Sequence, residues 1–168
     1  MTKITTTLLV VAALAVSACS DKDRFGAGAG GDAGGAYGMN GSASDPRSVA
    51  YFNETVGDRV LFSVDQSTLS DTARTTLEAQ ARWLMANPEY GATIEGHADE
   101  QGTREYNLAL GARRANAVQE FLVSRGVSPA RLKTVSYGKE RPLAICSEEA
   151  CYAKNRRAVT VVAAGAGM

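Results

Sequence analysis

Residues 94–118 read IEGHADEQGTREYNLALGARRANAV. The stretch begins as the apolar end of a buried strand and passes through a loop of acid and amide groups. It continues as a helix on which Leu108, Gly111, Ala115, Val118 and Leu122 recur at steps of three and four, with Gly126 as a stop. A strand, a short crossover and a long helix in so few residues point to an α/β unit. Asp99 stands in the loop, and Arg113 and Arg114 stand on the helix with little apolar surface between. Either these charges hold each other, or together they hold something that carries both signs.

On either side the same alternation continues. DRVLFSV predicts a strand over 60–64, and Ser70 reads as the N-cap of a helix with Ala73, Leu77, Ala81 and Leu84 on one face. Asn87, Pro88 and Gly91 end that helix, and ATIEG is the second strand. Ser128-Pro129 opens a short helical turn, LKTVSYG is a third strand, and AVTVVAA a fourth, reached through a polar loop or short helix. The pattern describes a small α/β sandwich with two main helices on one side of the sheet. Strand order does not follow from it.

The chain has 168 residues, with 18 basic and 18 acidic side chains. Removing the first 18 residues takes away Lys3 and no acid, leaving 17 basic against 18 acidic groups. No basic field exists to gather nucleic acid, so no nucleic-acid partner is expected.

Residues 1–18, MTKITTTLLVVAALAVSA, place one Lys before a short apolar run from Leu8 to Val16. A spanning helix needs about 20 apolar residues, so this is the build of a cleaved secretory signal. VSAC, ending at Cys19, resembles a bacterial lipobox, in which the Cys becomes the lipidated first residue. Each buried methylene contributes about 0.8 kcal/mol, and two or three acyl chains make such an anchor effectively permanent. No cofactor is expected besides this covalent lipid. In the lipoproteins that this motif resembles, Asp after the Cys signals inner-membrane retention; Ser20 therefore implies the outer membrane, facing the periplasm.

Residues 19–48 form the lipidated terminus and linker, 49–164 the folded domain and 165–168 a tail. Within the linker, FGAGAGGDAGGAYGMNG cannot bury enough apolar surface to offset its ordering entropy and is expected to act as a leash reaching about 30 Å. Cys146 and Cys151, in ICSEEACYA, predict a disulfide clip in an oxidising compartment. Two thiols and one distant His do not make a zinc set, and the spacing is not that of a C-x-x-C redox pair.

GHADEQGTREYNLALGARRANAV, together with YGKERP and KNRRAV, closely resembles the OmpA-like periplasmic domain of the peptidoglycan-associated lipoprotein family. The resemblance covers nearly all of the domain, with the lipobox and linker besides. It implies a compact βαβαβ sandwich with a mixed sheet of about four strands. It also implies non-covalent binding of peptidoglycan through meso-diaminopimelate and, as partners, TolB and the Tol complex. Diaminopimelate ends in an ammonium and a carboxylate on one carbon, which call for an anion and a planar cationic fork. In the family motif these are the Asp of GHAD and the second Arg of RRAN, here Asp99 and Arg114. The resemblance further places Gly102, Asn107, Leu110 and Asp65 at the binding pocket, with Leu110 on the ligand's aliphatic stem.

Other residues remain open at this stage. An internal Asp99–Arg114 ion pair is the plain alternative to a ligand pocket. Arg113 points about 100° away from Arg114 on a helix, towards solvent or TolB. Lys154, Arg156 and Arg157 read equally as a site for wall carboxylates or as a solvated basic run. No G-x-S-x-G elbow accompanies His97, and His97 with Asp99 falls short of a metal set, so His97 reads as structural and the chain as no enzyme. A cell-wall hydrolase or a protein that chiefly docks TolB are the competing functions.

Overall fold

The computed structural model describes residues 41–165. The expected signal, the expected lipidation site Cys19, most of the expected linker and all but the first residue of the expected tail lie outside the described residues.

The described chain opens with a helical turn, α1 (Val49–Tyr51), capped by Ser48, whose side chain accepts from the Tyr51 N–H. It runs on as a π-helical segment, Phe52–Gly57. Sequence reading missed this segment. Its purpose is packing: Phe52 is fully buried, with its ring 4.8 Å from that of Trp83.

Strand β1 is Arg59–Leu61, shorter than the expected 60–64. It stops early because the chain turns: Gln66 N–H donates to Ser63 O, and Asp65 takes a left-handed conformation with φ 55°. Helix α2, Asp71–Ala86, starts at the Ser70 cap and buries Leu77, Ala81 and Leu84. Strand β2 is Tyr90–His97, helix α3 Arg104–Ser124 and strand β3 Leu132–Gly138. Helix α4 is Glu149–Asn155 and strand β4 Arg157–Ala164.

The sheet order is β1-β4-β2-β3. Strands β2 and β3 are parallel, and α3 provides the crossover that parallel neighbours require. The last strand, β4, lies between β1 and β2 and is antiparallel to both. The sheet is therefore mixed and four-stranded.

Helices α2 and α3 lie over one face of the sheet. Leu77, Leu84, Ile94, Val118 and Leu122 are fully buried between the layers, each contributing roughly 1.5–3 kcal/mol by leaving water. Gln80 sits in this core with its polar atoms satisfied. Its amide donates to Gly57 O at 2.6 Å and accepts from Thr160 Oγ1 at 2.8 Å, tying the opening segment, α2 and β4 together.

Helix α3 touches β2 backbone to backbone. A Cβ added to Gly96 would come within 1.9 Å of Gly111 O. Two glycines facing each other let the helix settle directly on the strand. That close approach sets the reach of Arg114, one turn further along α3.

Candidate functional site: a cleft between the Asp65 turn and the start of α3

The β1–α2 turn, the β2–α3 loop and the first turns of α3 enclose a cleft of about 210 Å³. Its lining is Val64, Asp65, Asp99, Gln101, Gly102, Tyr106, Asn107 and Leu110. The loop above β2 is held from three sides. Thr103 caps α3 by accepting from Tyr106 N–H, and the Asn107 amide donates to Gln101 O at 2.7 Å. Lys139, of the segment after β3, donates to Gly102 O at 2.7 Å. Gly102, with φ 90°, takes the turn at a conformation that a side chain would strain.

Two carboxylates face the cleft. Asp65 accepts a hydrogen bond from the Tyr106 hydroxyl, joining the β1–α2 turn to α3 across the rim. That bond raises the Tyr106 hydroxyl above its ordinary pKa. Asp99 accepts from Gln101 N–H at 3.2 Å through one oxygen and from Arg156 Nη1 at 3.1 Å through the other. A carboxylate carries about four lone-pair positions, so acceptor capacity remains on Asp99 beyond these two bonds.

Arg114 is not where the sequence placed it. It is fully buried and does not line the cleft. Its Nε donates to Gln66 O at 2.8 Å, Nη1 to His97 O at 2.8 Å and Nη2 to Ser63 O at 3.1 Å. The guanidinium carbon lies 5.2 Å over the Phe62 ring. Burial draws the group down to about 10, with the nearby Asp99 charge acting in the opposite sense, so it stays a cation at neutral pH. The physical reason for the correction is local. A helix settled on the Gly96 backbone carries its next turn under the β1–α2 turn and the end of β2, where one forked donor reaches the carbonyls of Ser63, Gln66 and His97 together. Arg114 therefore clamps the turn that carries Asp65 to the strand end that leads to Asp99. The direct Asp99–Arg114 ion pair is absent among the described residues as well, since Asp99 is paired with Arg156.

The remaining sequence candidates separate by depth. Leu110 and Gly102 line the cleft, and Asn107, almost wholly buried, lines it while bracing the loop. Arg113 is exposed, 5.9 Å over the Tyr106 ring. Lys154 is exposed, but Arg156 and Arg157 are buried, so the basic run is neither a solvated face nor a free anion site. His97 is buried against Tyr137, ring centroids 5.5 Å apart, with neither ring nitrogen hydrogen-bonded. Burial, reinforced by Arg157 and Arg141, lowers it to about 4, and so it is neutral. Cys146 and Cys151 are joined in a disulfide with Cα atoms 5.9 Å apart.

Sequence reading missed Val64, Gln101 and Tyr106 in the lining, and Arg156 as the partner of Asp99. Tyr106 could have been found, because it falls one turn before Leu110 on the same helical face. Arg156 could not, since its meeting with Asp99 depends on the strand order.

Residues 61–156 match the model of the OmpA family. The peptidoglycan-associated lipoprotein of Rhizobium meliloti (strain 1021) is 49% identical over 160 residues, covering 95% of this chain and 88% of that one. The protein of the same name from Agrobacterium fabrum (strain C58) is 50% identical over 157 residues, covering 93% and 85%. Among solved structures, the peptidoglycan-associated lipoprotein from Burkholderia pseudomallei superposes with a TM-score of 0.66 at 38% identity, over 71% of this chain and 100% of that one. The C-terminal domain of Helicobacter pylori MotB, at 22% identity and a TM-score of 0.59 over 63% of this chain and 84% of that one, shares the fold alone. The chain belongs to the OmpA family and, within it, to the peptidoglycan-associated lipoproteins.

Proposed function

We propose that this chain is an outer-membrane lipoprotein, anchored through Cys19, whose domain binds peptidoglycan non-covalently at the end of the meso-diaminopimelate side chain. Lipid at one end and cell wall at the other make it a tether in series between membrane and wall. On the family resemblance we place it in the Tol–Pal system, with TolB as its protein partner, supporting envelope integrity and constriction at division. The names of its relatives support the envelope part of this reading.

The observation that carries the ligand chemistry is the Asp99 carboxylate, fixed at the cleft with acceptor capacity unspent. It meets the ligand's ammonium, and Asp65 adds a second negative charge on the opposite wall. The ligand's carboxylate, on the same carbon, falls towards the Gly102 turn and the first N–H groups of α3, where helix geometry leaves donors unpaired. Leu110 and Val64 take the aliphatic stem. Arg114 supports this arrangement from behind the wall by holding the Asp65 turn in place.

The test is sedimentation of the full chain with purified sacculi. It is expected to pellet with diaminopimelate-containing walls, to release no soluble fragments, and to be retained less on lysine-containing walls. Asp99→Asn is expected to weaken retention at least about tenfold, since a charge left without its partner in such a site costs several kcal/mol. Equal retention on both wall types would sink the recognition chemistry. Release of fragments would favour a hydrolase. Full envelope function and TolB binding in a variant that no longer pellets would favour a TolB-docking protein.

A further inference from the structure

Arg156 touches Asp99 from outside the cleft. It is buried between the end of α4 and the start of β4, with Nε donating to Phe62 O at 3.3 Å and Nη1 to Asp99 Oδ2 at 3.1 Å. Its other face belongs to Glu149, which takes Nη2 through one carboxylate oxygen and Nη1, at 3.4 Å, through the other. Glu149 is the first residue of α4 and lies between Cys146 and Cys151, inside the ring that their disulfide closes. One cation is thus shared by two carboxylates, of which only Asp99 reaches the cleft.

The charge balance has a consequence for the ligand. Paired with Asp99 alone, Arg156 would neutralise it, and a ligand ammonium would compete with a permanent resident for the same oxygens. With Glu149 drawing on Arg156 from the far side, the three groups keep one net negative charge, and Asp99 is the member of the three that faces the cleft. An exposed ion pair usually contributes little, because two free side chains must be ordered to make it. Here Arg156 is already buried and the backbone that carries Glu149 is closed in a short covalent ring, so the ordering left to make the pair is that of the exposed Glu149 side chain. The hydrogen bond from Arg156 also holds the Glu149 carboxyl below its ordinary range, which keeps it charged in mildly acidic surroundings.

We propose that Glu149, carried by the Cys146–Cys151 ring, is a positioning residue that shares Arg156 with Asp99 and so keeps part of the Asp99 charge available to the cation in the cleft. This rests on the ligand reading given under Proposed function. It also gives the cysteine pair, which stands outside the cleft, a role in affinity.

The experiment titrates the full chain with diaminopimelate-containing sacculi and compares wild type, Glu149→Gln, Glu149→Asp, the Cys146→Ser/Cys151→Ser pair and Asp99→Asn. Glu149→Gln is expected to weaken binding about fivefold, the scale of one well-placed charge pair. Glu149→Asp is expected to recover most of that loss, and the double Ser variant to weaken binding in the same direction. Wild-type binding by Glu149→Gln, with binding lost in Asp99→Asn, overturns the proposal and leaves the ligand reading standing. Equal losses in Glu149→Gln and Glu149→Asp also overturn it, since the effect would then not follow the charge. Wild-type binding by Asp99→Asn overturns both readings together.

Discussion

Arg114 offers the sharpest test, because a residue that clamps a loop and a residue that grips a ligand fail differently. Arg114→Met keeps the stem and removes three charge-assisted hydrogen bonds, to Ser63 O, Gln66 O and His97 O. Such bonds contribute about 1.5–3 kcal/mol each, but not all of that is lost. Ser63 and Gln66 are exposed, so water can take over their carbonyls; the bond to His97 O is buried, and that carbonyl is left unpaired. A net loss of about 3–5 kcal/mol is expected, against a total stability of about 5–15 kcal/mol for a domain of this kind. Arg114→Lys keeps the charge but not the fork, so it should fall between wild type and Met. Urea unfolding gives the stability, hydrogen exchange at residues 63–66 reports the turn, and sedimentation with sacculi gives the binding. Binding is expected to fall in step with protection of the turn. If either variant unfolds at the wild-type midpoint yet no longer pellets with sacculi, Arg114 contacts the ligand itself and the clamp is refuted.

His97 should leave a signature in acid. Its folded pKa of about 4 lies below the ordinary 6.5, so between those values the unfolded chain binds a proton that the folded one does not. Stability from this group is whole above pH 6.5, falls by up to roughly 3 kcal/mol as pH drops towards 4, and is flat below that. Urea midpoints at pH 7 and pH 5 should therefore differ less in His97→Leu than in wild type. Gly96→Ala must push α3 off β2, because the new Cβ would lie 1.9 Å from Gly111 O; a loss of at least about 2–3 kcal/mol is expected in the same assay. Cys19→Ala should move the protein from the membrane to the soluble fraction, and a variant that still fractionates with membranes would exclude the lipid anchor.

Much of the architecture was written in periodicity. Helices α2 and α3 were legible from their apolar spacing and from Ser70 and Gly126 at their ends, and β2, β3 and β4 from short apolar runs between turn residues. The opening helical segment was missed because Val49, Phe52 and Val56 are too few to set a period beside a glycine-rich stretch. For the site, the motif located Asp99, Gly102, Asn107 and Leu110 at one cleft. It misdirected Arg114 because helical position fixes a side chain's direction but not what waits there. The three carbonyls that Arg114 satisfies belong to the β1–α2 turn and the end of β2, and only the assembled sheet brings them together. The same limit hid Arg156, which one-dimensional reading could see only as part of a basic run.

The place of β4 has a further meaning for how the molecule comes into being. Val60 pairs with Ala158, and Gly96 pairs with Ala158 from the other side, so the middle of the sheet is the last strand that the chain supplies. Until that strand arrives, β1 has no neighbour, the β2–α3–β3 unit has an open edge, and Asp99 lacks the arginine beside it. A chain made from its N-terminus onward thus cannot gain ligand affinity in instalments: nearly everything must be delivered before anything binds. Such long-range closure slows folding and leaves strand edges bare in the meantime. Loss of even the final strand should therefore abolish the whole domain, because nothing else joins β1 to the β2–α3–β3 unit in one sheet.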